Sequence, residues 1–178
     1  MSQHVVIIGA VALGPKAACR FKRLEPDSKV TMIDQTDLIS YGGCGIPYFV
    51  SGDVSSPDEL QSTSFHMLRD SKFFKEAKDI DVLTRKRAIQ IKRDEKALVL
   101  RDLDTGAEQE LVFDQLVIAT GSTPAVPKIQ GVDLPGVYVV SSLEDAIKIR
   151  NDIAAGQVGN AVIIGAGAIG LEMAEAMT

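Results

Sequence analysis

The chain has 178 residues, 46% of them hydrophobic, with a net charge of −5, which suits one soluble domain and the start of another and argues against general binding to nucleic acid or acidic membranes. No apolar run approaches the roughly 20 residues that cross a bilayer, and Met1-Ser2-Gln3-His4 lacks the parts of a signal peptide. Two cysteines, Cys19 and Cys44, are too few for a disulfide scaffold, so a reducing cytoplasm is the expected setting and a working cysteine is a chemical one.

Val5-Val6-Ile7-Ile8 reads as a buried parallel strand ending at Gly9. Residues 16–24 read as a helix, with Pro15 at its first position and Ala17, Ala18, Phe21 and Leu24 on one apolar stripe. Lys29 to Asp34 is a second strand and completes a βαβ unit. Residues 40–52 are loop-like, with a short helix from Pro47, and residues 65–78 form an amphipathic helix. Strands are expected at 81–91, 97–103 and 109–113, the last two joined by the Asp104-Thr105-Gly106 turn. Leu116 to Ala119 is a further strand ending in Thr120-Gly121. Pro124, Pro127, Gly131, Pro135 and Gly136 punctuate a linker before a helix at 143–155. Ala161 to Ile164 then opens a second strand-glycine-helix motif, and the chain stops at Thr178 inside that helix.

The two ends of the chain repeat each other. Val-Ile-Ile-Gly-Ala-Val-Ala-Leu-Gly runs to Gly14, and Val-Ile-Ile-Gly-Ala-Gly-Ala-Ile-Gly runs to Gly170. A strand feeding a glycine turn and a helix presents free backbone N–H groups to a pyrophosphate. Two such motifs imply two nucleotides. The first copy has Gly9 and Gly14 but Val11 in the middle, with Asp34 placed 20 residues after Gly14 to accept hydrogen bonds from ribose hydroxyls. The second copy, Gly165, Gly167 and Gly170, is complete, and Glu172 is expected on the first turn of its helix. The position that separates NADH from NADPH lies beyond Thr178. The alternative for either motif is a glycine turn in an α/β domain without a nucleotide.

Cys44 lies in Ser40-Tyr41-Gly42-Gly43-Cys44-Gly45-Ile46-Pro47-Tyr48. Small neighbours let a planar ring or a thiol substrate approach, and a helix start just downstream favours the thiolate, which is the nucleophile. The competing reading is a buried structural cysteine, for which glycines make poor packing. Cys19, mid-helix among alanines, suits that role better. Lys16, Arg20 and Arg23 line one helix face and either meet phosphates or form a solvated charged face.

In this order, Gly9-x-x-x-x-Gly14, Ser40-x-x-x-Cys44-Gly-x-Pro47, Ala119-Thr-Gly121 and Gly165-x-Gly-x-x-Gly170 resemble the FAD-dependent pyridine nucleotide-disulfide oxidoreductases. The branch it looks like is the single-cysteine one, with coenzyme A-disulfide reductases, NADH-dependent persulfide or polysulfide reductases, and NADH oxidases and peroxidases. Dithiol members carry a second cysteine where this chain has Phe49, and oxidases and peroxidases carry a histidine where it has Ala12. The resemblance implies an α/β fold: a Rossmann-like FAD-binding domain with a three-stranded antiparallel insertion over 1–122, then over 123–178 a linker and the beginning of an NAD(P)H-binding domain.

The same resemblance implies that Gly9, Val11, Ala12, Gly14, Asp34, Gln35, Ser40, Ala88, Ala119, Thr120 and Gly121 lie against FAD. Gly165, Gly167, Ile169, Gly170 and Glu172 would serve NADH or NADPH, with Cys44 as the catalytic thiol. Lys16, Arg20, Arg23, Ser40 and Gly43 would meet a substrate disulfide, persulfide or coenzyme A thiol. Asn often precedes the cysteine in coenzyme A-disulfide reductases, and Gly43 departs from that. A cytoplasmic homodimer is implied, with no metal. The rival readings are an NADH oxidase or peroxidase cycling Cys44 through sulfenic acid, and a catalytically incomplete fragment of such an enzyme.

Overall fold

The computed structural model describes residues 3–178. Chain order runs β1 (His4–Ile8), α1 (Leu13–Leu24), β2 (Lys29–Ile33), one 3-10 turn (Gly43–Gly45), α2 (Ile46–Ser51), α3 (Pro57–Gln61), α4 (Ser71–Lys78), β3 (Asp81–Leu83), β4 (Lys86–Lys92), β5 (Ala97–Asp102), β6 (Glu108–Val112), β7 (Gln115–Ile118), α5 (Leu143–Ala154) and α6 (Ala168–Ala176). The chain forms two compact units: residues up to Tyr41 with Gln61–Gly121, and Gly42–Leu60 with Ser122–Thr178.

The first unit is the expected Rossmann-like layer structure. Four parallel strands take the order β3-β2-β1-β7, and β4-β5-β6 form a separate antiparallel sheet. β1 is apolar on both faces because both are covered. Val5 and Ile7 pack with Val30, Met32, Ala18, Phe74 and Ile80, beneath α1 and α4. Val6, on the opposite face, packs with Ile33, Leu98, Leu100 and Phe113, under the antiparallel sheet.

Several boundaries differ from expectation. The stretch 81–91 is two strands: β3 pairs with β2, β4 pairs with β5, and Arg85 between them turns the chain at φ 56°. The helix expected over 65–78 is only Ser71–Lys78, started by the Asp70 carboxylate accepting the Phe73 N–H at 2.8 Å. Before it the chain closes a loop, with Thr63 N–H donating to Met67 C=O, and Phe65 is 90% exposed. α1 starts at Leu13, so Pro15 is its third residue, where a missing N–H still costs no helical bond. Leu24 is exposed and lies outside the buried stripe. Within 40–52, α2 begins at Ile46 rather than Pro47.

In the second unit, α5 has a capping box: Asp145 N–H donates to Ser142 Oγ, and Ser142 N–H to the Asp145 carboxylate. Ala161 to Ile164 is not a strand. No described strand pairs with it, and Val162 and Ile164 are 89% and 79% exposed. An apolar run becomes a strand only when a ladder partner takes its backbone hydrogen bonds. No helix among the described residues is long and apolar enough to cross a membrane.

His4, at the start of β1, places Nε2 2.9 Å from Thr31 Oγ1. Partial burial, and then the neighbouring Lys29 ammonium, hold its imidazole below the usual histidine range. The unfolded chain therefore takes up this proton more readily than the folded one. The His4 contribution is complete above about pH 6.5 and is lost as pH falls towards the lower folded value. His4→Gln is expected to flatten the fall of the urea midpoint between about pH 7.5 and 5. An unchanged slope would remove His4 as the cause.

Candidate functional site

The turn between β1 and α1 is fixed on all sides. Gly9 N–H donates to Ile33 C=O at 2.8 Å, and Gly9 adopts φ 107°. A Cβ on Gly9 would lie 2.1 Å from the Ala119 carbonyl oxygen, and one on Gly14 would lie 1.8 Å from that of Gly9. These two positions therefore exclude side chains. Val11 is half-buried and Ala12 exposed. Ala12 caps α1 without a side-chain hydrogen bond, and no acidic residue lies in its first turn. The free N–H groups and positive dipole end of a 12-residue helix thus have no acceptor from a capping side chain. A close-packed turn with uncapped donors fits the diphosphate of a dinucleotide.

Asp34 directly follows β2, one residue past the strand's end, and it does more than offer a carboxylate. Oδ2 accepts Ala10 N–H at 2.7 Å, while Oδ1 accepts Thr36 N–H at 3.0 Å and faces Thr36 Oγ1 at 3.1 Å. Oδ2 keeps a second lone pair free to accept a further hydrogen bond. Ser40 is buried, at φ 53°, and its N–H donates to Ala10 C=O at 2.8 Å. Ala10 is thereby held through both backbone groups. Ala119 N–H continues the β1 pairing to Ile8 C=O at 2.8 Å, and Thr120 and Gly121 follow it, exposed. Gln35 is exposed and accepts a hydrogen bond from Arg87 Nε at 3.1 Å, and Ala88 is half-buried beside a β-bulge.

Along α1, Lys16, Arg20 and Arg23 are exposed and have no ion-pair partner among the described residues. Lys22 is committed: its ammonium binds Asp79 at 2.6 Å and the carbonyls of Pro26 and Ser28 at 2.8 Å. The three free cations are thus available to an anionic ligand. Cys19, on the same helix, is partly buried against the core of this unit.

In the second unit, Cys44 is an exposed free thiol at the centre of the 3-10 turn. Gly45 N–H donates to Gly42 C=O, and Gly42 N–H to Leu60 C=O, both at 2.9 Å. A Cβ on Gly45 would meet Leu60 Cδ2 at 2.3 Å, whereas Gly43 has nothing within 4 Å. Space beside the thiol is therefore open on the Gly43 side. The following helix, α2, buries Ile46, Pro47, Phe49 and Val50 and packs on α5 and α6. Arg150 of α5 lies 4.4 Å above the Phe49 ring and donates to Val54 C=O at 2.7 Å.

The second glycine turn repeats the local geometry of the first without its strand. Gly165 adopts φ 114°, and a Cβ on Gly170 would lie 2.0 Å from the Gly165 oxygen. Gly167 caps α6 without a side-chain hydrogen bond. Ile169 and Glu172 are exposed, and Glu172 is the fifth residue of α6, so it sits on the second turn rather than the first. No metal-binding cluster occurs among the described residues. Sequence reasoning missed Arg87 and Arg150, whose partners lie 52 and 96 residues away with no local signal.

Fold and turns are those of a dinucleotide-binding α/β protein. The chain belongs to the pyridine nucleotide-disulphide oxidoreductase family, whose model matches residues 3–178. It is 39% identical over 176 residues to the NAD(P)H coenzyme A polysulfide/persulfide reductase of Pyrococcus horikoshii, covering 99% of this chain and 37% of that protein. It is 34% identical over 171 residues to an NADH oxidase of Methanocaldococcus jannaschii, covering 96% of this chain and 37% of that one. Among solved structures it resembles an NAD-dependent persulfide reductase from A. fulgidus with TM-score 0.93 and 44% identity, over 98% of this chain and 32% of that chain. The chain therefore spans about 37% of the length of these curated relatives.

Proposed function

We propose that this chain is the flavin- and thiol-bearing part of a cytoplasmic, homodimeric NAD(P)H-dependent reductase of disulfides or persulfides, coenzyme A derivatives among them. The observation that carries the reading is the exposed free thiol of Cys44 in a chain that repeats one glycine-turn geometry at its two ends. In this reading residues 1–122 serve FAD and 123–178 are the linker and the beginning of the nicotinamide domain, although Gly42–Leu60, which carries Cys44, groups with Ser122–Thr178 in the fold. Bound FAD would relay the electron pair of a reduced nicotinamide to sulfur. Gly9, Gly14 and the start of α1 would hold its diphosphate, and Asp34 its ribose. Cys44 attacks one sulfur of the substrate and releases the other as a thiolate. The resulting mixed disulfide takes two electrons and a proton, which returns the Cys44 thiolate and frees the second thiol. Lys16, Arg20 and Arg23 supply charge for a phosphorylated thiol such as coenzyme A.

Similarity to a protein named NADH oxidase supports a second reading, in which Cys44 cycles through sulfenic acid. Ala12 weighs against it. The complete protein carrying this chain is expected to purify with a flavin absorption band and to oxidise NADH or NADPH faster with coenzyme A disulfide or persulfide than with glutathione disulfide. Colourless protein that FAD cannot reconstitute would refute the flavin reading, and a dominant oxidase or peroxidase activity would transfer the assignment to the second.

A further inference from the structure

The cations of the antiparallel strands are paired, with one exception. Lys86 binds Asp102, Lys92 binds Glu110, and Arg101 binds Glu108 at 2.8 Å. Arg87 of β4 has no carboxylate partner among the described residues, and its cross-strand neighbour is another cation, Arg101. Like charges directly opposite destabilise a sheet, so sheet stability does not account for Arg87. Its one side-chain hydrogen bond among the described residues runs outside the sheet, from Nε to Gln35 Oε1 at 3.1 Å.

The backbone places Arg87 there. Asp34 N–H donates to Leu83 C=O at 2.9 Å, and Lys86 N–H donates to Asp34 C=O at 3.0 Å. Arg85, at φ 56°, makes the turn between these two bonds. A register shift between Ala88 and Gln90 follows immediately, and such bulges re-aim the side chains beside them. The end of β2 and the start of β4 are thus locked together whatever residue 87 is.

An arginine side chain only donates. The Gln35 oxygen must therefore face Arg87, which leaves the Gln35 amide nitrogen with two donors for a ligand. Next to it, Asp34 offers only acceptor atoms. An exposed glutamine alone would rotate and present either end. With Gln35 held by Arg87, the two residues that follow β2 offer acceptors at Asp34 and a donor at Gln35. That pair matches adenosine, whose ribose hydroxyls donate and whose ring nitrogens accept.

We propose that Arg87 is a positioning residue for the adenosine end of the dinucleotide, acting by fixing the Gln35 carboxamide as a donor. This rests on the reading that the first glycine turn takes FAD. The test uses the complete protein stripped of flavin, with ADP and FAD as probes and dissociation constants as the readout. Arg87→Ala and Gln35→Ala are each expected to weaken both probes roughly tenfold. The double variant should weaken them by about the same roughly tenfold rather than a hundredfold, because the two residues act as one. Arg87→Lys, which keeps a donor but loses the planar fork, should recover part of the loss, and Arg101→Ala should stay within about twofold of the parent. Unchanged binding by Arg87→Ala, or additive losses in the double variant, would overturn the proposal. A parent protein that binds neither FAD nor ADP would sink the flavin reading, and this proposal with it.

Discussion

In the complete protein, Cys44→Ser is expected to lower NAD(P)H-driven disulfide or persulfide reduction on the order of a thousandfold or more, with the flavin still bound. Serine keeps the size of the side chain but cannot form a disulfide, so the covalent step is lost. Cys44 is exposed, and the turn that carries it is held by backbone hydrogen bonds at Gly42 and Gly45 rather than by its own side chain. The replacement therefore leaves the local fold in place. Cys19 supplies the control. It is partly buried on α1, against the core of the first unit, and Cys19→Ser should change turnover by less than about threefold. Steady-state turnover and the flavin spectrum of both variants decide the matter. The opposite pattern would move the reactive thiol to Cys19.

What was legible in the sequence is what local pattern encodes. β1, β2 and β7 are apolar runs that end in punctuation, and the βαβ unit with its glycine turn followed directly. Spacing alone puts Asp34 at the carboxyl end of the second strand, and it directly follows β2. Its contact with Ala10 N–H was not readable, because that bond joins residues 24 apart. The split of 81–91 was hidden for a related reason. Both halves have strand composition, and only the partner available to each, β2 or β5, separates them. The helix expected over 65–78 loses its first residues because the Asp70 cap sets the start downstream, at Ser71. Ala161 to Ile164 shows the limit most clearly. Its sequence is almost that of β1, yet β1 lies between β2 and β7 while this segment pairs with no described strand. A strand's identity therefore belongs to its sheet as well as to its residues.

The two glycine turns give the second large expected effect, because the same substitution should separate the two nucleotides. Gly9 adopts φ 107° and Gly165 φ 114°, values that L side chains rarely adopt. Alanine at either position carries strain of roughly 1–3 kcal/mol. At Gly9 a second cost is added, because its Cβ would lie 2.1 Å from the backbone oxygen of Ala119. That oxygen belongs to the segment leaving β7, whose Ala119 N–H is bonded to Ile8 C=O, so it cannot retreat without opening the sheet. Gly9→Ala is therefore expected to destabilise the protein by about 3 kcal/mol or more and to weaken FAD on the order of a hundredfold. A Cβ on Gly165 meets nothing within 4 Å, so Gly165→Ala keeps only the backbone strain. It should leave flavin content unchanged and weaken NADH or NADPH roughly tenfold. Gly43→Ala, with open space and no positive φ, should leave both nucleotides bound as before. Flavin content, nucleotide titration and thermal melting of the three variants check the order. Loss of flavin from Gly165→Ala, or none from Gly9→Ala, would show that the turns are not divided between two dinucleotides in this way.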